Sequence, residues 1–226
     1  MLDTIDDDLV SQYLKKESFF GNSPFLLKRV LMSSNLEFQK GIKLCLENAD
    51  LWFNESKLLY EQGSYGHSIA LLIHGEEALV QALYCWYVSV GVHKPKDKIV
   101  LEVFKSHPVK LAMIHGSLVA MISAYVEDRK TFFEKIDWAF AIEEFPKKVM
   151  ELRNRGIYVN YDSNEIKFTS PNTLTKEDVD ALRKIIDIVE IVIKDILLKA
   201  TDEQISVFKL ITKQILNLFT EKGIKI

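Results

Sequence analysis

From Tyr65 to Val90 the apolar residues recur at the spacing of an α-helix, and a glutamate falls inside the repeat. Advancing about 100° per residue brings Ile69, Leu72, Ile73, Leu79, Val80, Leu83, Trp86, Tyr87 and Val90 into one broad stripe, with Glu76 near its middle and Glu77 towards its edge. A carboxylate aimed into a core is costly unless it is paired or keeps its proton, so Glu76 requires a partner from another element. The rest of the chain supports helix as well. Its 226 residues include 9 Gly and 5 Pro, about half the usual share and too few for the turns of a sandwich or barrel. The expected fold class is all-α.

Helix starts are marked by Ser or Thr followed three residues later by a side chain that can bond back to the backbone. Ser34 with Glu37, Thr131 with Glu134 and Thr201 with Gln204 fit this pattern, and Thr175 with Asp178 is a variant of it. The resulting map has a short N-terminal helix around 5–16, a turn-rich Gly21 to Pro24, and helices near 35–62, 65–90, 98–127, 132–155, 176–199 and 202–221. Gly63 and Gly223 stand where C-terminal caps belong. The first two long helices, joined through Gly63-Ser64, make an antiparallel hairpin. One segment departs from the helical rhythm: Tyr158 to Tyr161 and Glu165 to Phe168 alternate around Asp162-Ser163-Asn164, the signal of a small β-hairpin. The expected organisation is an N-terminal helical and turn segment over 1–34, a bundle over 35–199 with its hairpin at 158–168, and a C-terminal helix packed on the bundle over 200–226.

Charge and cysteine content exclude several classes. With 29 basic and 32 acidic residues there is no global attraction to nucleic acid or anionic lipid, so any such contact is local. Cys45 and Cys85 have no CxxC spacing, and the N-terminus is acidic where a signal peptide is basic; both point to a reducing cytoplasm. The longest stretches without charge, Ala78 to Val92 and Leu111 to Val126, are shorter than a membrane-spanning helix requires.

Other ionisable residues also face inward. On 145–156, Phe145, Val149, Leu152 and Arg153 share one side while Lys148, Glu151 and Arg155 take the other. A guanidinium can satisfy a buried glutamate through paired hydrogen bonds. Pro108 suits the first turn of a helix with Ser106 or His107 near its cap; His107 then continues the face of Leu111, Ile114, Leu118 and Ile122, and Lys110 stands beside it. Each residue taken singly reads as a buried structural pair or a cap. Glu76, His107, Lys110 and Arg153 come from three different helices, however, and can meet in one pocket. No metal and no cofactor is expected: His67, His74, His93 and His115 show no HExxH, ExxH or Cys/His cluster, and no Gly-rich phosphate loop occurs. Lys147, Lys148, Arg153 and Arg155 form a modest basic patch.

Several runs resemble a known family. Asn48-Ala49-Asp50-Leu51, then Tyr65-Gly66-His67-Ser68-Ile69-Ala70-Leu71-Leu72, then Gly75-Glu76-Glu77-Ala78-Leu79 are similar to the opening helical hairpin of HEPN domains. Within that superfamily the chain resembles the AbiV family of abortive infection proteins. The resemblance is carried by Glu76-Glu77, by Phe104-Lys105-Ser106-His107-Pro108-Val109-Lys110, and by Arg153-Asn154-Arg155-Gly156-Ile157-Tyr158-Val159-Asn160, with Pro171 and Leu174-Thr175 after the hairpin. It implies a HEPN-like helical bundle with additional C-terminal helices and a toxin-like role in antiviral defence, by arrest of the infected cell through RNA or the translation machinery. Many HEPN domains are metal-independent RNases that act as dimers, so a homodimer is expected, with no membrane partner.

Catalytic HEPN domains usually carry an Arg followed four to six residues later by a His, the Arg stabilising phosphate charge and the His serving as acid or base on the ribose hydroxyl. Arg153-Asn154 matches the first half, but Tyr158 stands where the His is expected and no His occurs between 154 and 226. An ordinary tyrosine hydroxyl titrates near 10. Two readings follow. In one, His107 supplies the acid/base group, with Arg153 and Tyr158 beside it as catalytic residues and Glu76, Glu77, Lys110, Asn154 and Asn160 as binding residues. In the other, the domain is non-catalytic and binds a phage or ribosomal protein.

Overall fold

A computed structural model describes residues 36–125, 144–162 and 166–221. The expected segment over 1–34 and the helix start at Thr131 lie outside them. Helix α1 (Leu36–Glu61) and helix α2 (Tyr65–Ser89) form the expected antiparallel hairpin. Gly63 adopts φ 74°. Its N–H donates to the Tyr60 carbonyl at 3.0 Å and the Ser64 N–H to the Leu59 carbonyl at 2.8 Å. This pair of bonds satisfies the last carbonyls of α1 and needs a residue at ease in the left-handed region. Between the two helices, buried Ser56 and Ser68 each donate their hydroxyl to the other's carbonyl, at 2.8 and 2.9 Å.

Helix α2 is the axis of the bundle. From Ser68 to Ser89 nearly every residue is buried; the three that are only partly so, Leu71, His74 and Gln81, share one face of the helix. Packed on it are α1, α3 (Lys98–Lys105), α4 (His107–Tyr125), α5 (Phe145–Ile157) and α6 (Lys176–Lys199). Helix α7 (Asp202–Glu221) packs against α4, and its buried Phe208 meets Trp86 edge-on with ring centroids 6.1 Å apart. No helix among the described residues is long and apolar enough to cross a membrane.

The single helix expected over 98–127 is two. At Ser106 the backbone is extended (φ −111°, ψ 115°), and its hydroxyl accepts from the Val109 N–H at 3.4 Å. Pro108 has no N–H to donate and belongs in a first turn, so the chain breaks before it and restarts at His107. Both described capping pairs form. Asp178 N–H donates to the Thr175 hydroxyl while the Asp178 carboxylate accepts from the Thr175 N–H at 2.9 Å, and Thr201 with Gln204 makes the same reciprocal contact.

The hairpin pairs β1 (Asn160–Asp162) with β2 (Lys167–Thr169), antiparallel, Tyr161 opposite Phe168. Its second strand starts later than the alternation suggested because Ile166 takes φ 51° in the turn. A one-turn 3-10 helix, Pro171–Thr173, follows and touches the start of α2. Cys45 and Cys85, isolated in the sequence, meet across α1 and α2; their mutual hydrogen bond lowers the Cys45 pKa and raises that of Cys85.

The first turn of α2 is held between two neighbours. A Cβ on Gly66 would lie 2.5 Å from the Pro171 carbonyl oxygen and 2.8 Å from its Cα, and a Cβ on Gly156 would collide with the Gly66 carbonyl oxygen. Gly66→Ala and Gly156→Ala are therefore each expected to lower stability by about 1–3 kcal/mol, the usual cost of overpacking against backbone. A urea titration checks this, with an unchanged midpoint in both variants as the contrary result.

Candidate functional site

Glu77 is 2% exposed and lies two turns or more from either end of α2, so water cannot solvate its carboxylate. Side chains from two further helices meet it instead. His107, first residue of α4, places Nδ1 2.6 Å from Glu77 Oε2. Lys110, one turn on, places Nζ 3.6 Å from the same oxygen. His74, three residues earlier on α2, has Nδ1 3.8 Å away. On its far side His74 Nε2 is 3.3 Å from a guanidinium nitrogen of Arg153 on α5. The His74 and His107 rings stand edge to face, 5.9 Å between centroids, and Trp52 of α1 leans on His74 at 5.4 Å.

These contacts assign the imidazole tautomers. Burial by itself would raise the Glu77 carboxyl, but its contacts with His74 and His107 and the charges of His107 and Lys110 outweigh burial and lower it. The group is thus a carboxylate at neutral pH, able only to accept, so His107 Nδ1 carries the proton between them. The His107 ring is 41% exposed, and its Nε2 is left to react with whatever arrives from solvent. Arg153 can only donate, so His74 Nε2 accepts and His74 Nδ1–H faces Glu77. With one carboxylate against Lys110 and Arg153, the cluster is cationic even with both histidines neutral. Two of its buried atoms, Glu77 Oε1 and Arg153 Nε, have no hydrogen-bond partner among the described residues.

The arrangement combines a histidine held in one tautomer by a buried carboxylate with two cations beside it. That is the constellation of a general acid or base working on an anionic substrate. His74, Glu77 and His107 also present ligand atoms within 4.8 Å of one another, close enough to hold a metal ion.

The structure brings together Glu77, His107, Lys110 and Arg153 of the residues singled out by sequence. Glu76 is elsewhere: it points into the interior at 1% exposure, and the position it was expected to hold is taken by Glu77. Glu77 lies beside the less buried face of α2 that carries Leu71, His74 and Gln81, whereas Glu76 points to the opposite side, into the core. Tyr158 is exposed and caps α5, its N–H donating to the Asn154 carbonyl at 2.9 Å. Asn160 donates its side-chain amide to the Tyr158 carbonyl at 3.2 Å. No contact recorded among the described residues joins Tyr158, Asn154 or Asn160 to the cluster. His74 and Trp52 are the residues that sequence reasoning missed. The His74 to Glu77 spacing of three, one helix face, was the available signal; Trp52 left none.

Residues 37–194 match the HEPN family model described as AbiV. No curated protein and no solved structure matches the chain.

The two adjacent glutamates are expected to pull stability in opposite directions with pH. Burial, then the Glu77 charge, raises the Glu76 carboxyl from its ordinary 4.5 to about 8. Between those values the unfolded chain ionises while the folded chain keeps its proton, so stability falls as pH rises, by about 1.4 kcal/mol per unit. Glu77, lowered, stabilises above its ordinary value and loses that contribution as pH falls through its folded one. Glu76→Gln, neutral throughout, should therefore gain stability over the native chain steadily from about pH 5 to pH 8. Denaturation midpoints at successive pH values measure this; a constant difference would contradict it.

Proposed function

The chain belongs to the AbiV family of HEPN domains, and from that premise we propose that it arrests phage-infected cells by cleaving RNA at the Glu77–His107 cluster. The observation that carries this reading is the 2.6 Å contact between a buried carboxylate and a solvent-facing imidazole. It supplies from α4 the acid/base group that is missing after Arg153. In the proposed reaction His107 Nε2 takes the proton of a ribose 2′-hydroxyl. The 2′-oxygen attacks the adjacent phosphorus, and the 5′-oxygen leaves and takes a proton from water, whose hydroxide is neutralised by the proton that the imidazolium returns to solvent. The products are a 2′,3′-cyclic phosphate and a 5′-hydroxyl. Glu77 stabilises the imidazolium formed on the way. In this reading Lys110 and Arg153 neutralise the charge that builds on the phosphate oxygens.

A second reading has its own support. Val159, Ile166 and Phe168 of the hairpin region are each at least two-thirds exposed, an apolar surface suited to a phage or ribosomal protein. The two readings separate on one set of variants. His107→Ala and Arg153→Ala should abolish growth arrest and slow RNA cleavage by about 10²–10⁴-fold while the chain stays folded, with a helical signal near native and a lowered melting midpoint in His107→Ala, which strips a partner from buried Glu77. Mapped RNA ends carrying 5′-hydroxyls in the native chain alone would accord with cleavage. Growth arrest that survives both substitutions but is lost with Phe168→Asp, together with a stoichiometric phage or ribosomal partner, would establish the interaction reading instead.

A further inference from the structure

We propose that His74, Glu77 and His107 form a site for a transition-metal ion of the zinc type, and that the metal-loaded protein is the silent form of the cluster. The second half rests on the RNA-cleavage reading; the binding itself does not.

The three ligand atoms lie within 4.8 Å of one another. Ligand atoms around a tetrahedral zinc ion, each about 2.1 Å from it, stand roughly 3.4 Å apart. Glu77 Oε2 lies 2.6 Å from His107 Nδ1 and 3.8 Å from His74 Nδ1, values on either side of that spacing. Two ligands come from one face of α2 and the third from the first residue of α4, so all three are on helices packed against each other. Two imidazoles and one carboxylate are borderline donors, suited to Zn²⁺, Co²⁺ or Ni²⁺ and not to Mg²⁺ or Ca²⁺. The central ligand, Glu77, is buried to 2% exposure, and its Oε1 has no hydrogen-bond partner among the described residues. The exposed edge of His107 gives an ion a path from solvent and leaves positions open for water.

Two groups oppose the ion. Lys110 Nζ competes for Glu77 Oε2, and Arg153 occupies His74 Nε2. An ion on His74 Nδ1 moves the ring proton to Nε2, where it meets the Arg153 N–H, so the guanidinium must turn away. The site is accordingly labile, weaker than a closed structural zinc site. The same proton logic explains the silencing. With an ion on His107 Nδ1, the neutral ring keeps its proton on Nε2, which then has no lone pair to take a proton from a ribose hydroxyl.

The test is a Co²⁺ titration of the chelator-treated full chain, followed through visible absorption, then displacement by Zn²⁺. One ion per chain is expected. Affinity should fall by at least about tenfold in His74→Ala and in Glu77→Gln, and rise by about tenfold in Lys110→Met, which removes the competing cation. His67→Ala, on the exposed start of α2, should change nothing. Should Glu77→Gln fail to fold, His107→Ala, whose side chain is the most exposed of the three, takes its place. Absorption no different from aqueous Co²⁺, or binding that survives the ligand substitutions, overturns the site. RNA cleavage is assayed in parallel: the metal-free chain should cut, and one equivalent of Zn²⁺ should stop it. Cleavage that requires Zn²⁺ overturns the silencing while leaving the site standing. An uncut substrate with and without metal overturns the cleavage reading, and the titration still decides the binding.

Discussion

The carboxylate of Glu77 is the constraint from which the rest of the cluster follows. It is 2% exposed, mid-way along α2, where an anion without partners would be untenable. Partners come from His74 on the same helix and from His107 and Lys110 on α4, while Arg153 on α5 reaches it through His74. One buried charge thereby fixes the relative position of three helices and sets the proton on His107. The break at Ser106 serves the same end, since a continuous helix through that point would not begin at His107.

Glu76 and Glu77 show how neighbours on one helix divide under desolvation. Glu77 has cations and imidazoles around it and ionises more readily than usual; Glu76, deeper and repelled by that charge, holds its proton to about pH 8. The neutral member is buried at the cost of holding its proton above the ordinary carboxyl range. The charged member does the organising, which is why one is a core residue and the other the centre of the cluster.

Much of the architecture was legible in the residues because it is local. The capping pairs Thr175 with Asp178 and Thr201 with Gln204, the Gly63 turn, the hairpin after α5 and the inward face of Arg153 each depend on a few consecutive residues. Helical phase also brought His107 and Lys110 to the right side of α4. What could not be read was tertiary. Helical phase puts Glu76 in the core and Glu77 at its edge, as found; what it could not show is that α4 and α5 bring His107, Lys110 and Arg153 to that edge and so centre the cluster on Glu77. Tyr158 looked like a stand-in for the missing histidine, but α5 ends at Ile157 and the backbone turns extended, so its ring goes outward. His74 has partners on its own helix and on three others, Trp52 on α1, His107 on α4 and Arg153 on α5, which only the fold brings together.

The most direct test of Glu77 as organiser is the tautomer of His107, read by ¹⁵N NMR of the ring nitrogens in the metal-free chain at neutral pH. A proton on Nδ1 is expected, shifted downfield by its short bond to the carboxylate, with Nε2 unprotonated in the neutral ring and the Nδ1 preference lost in Glu77→Gln. A proton on Nε2 in the neutral ring, or a tautomer indifferent to Glu77→Gln, would contradict it.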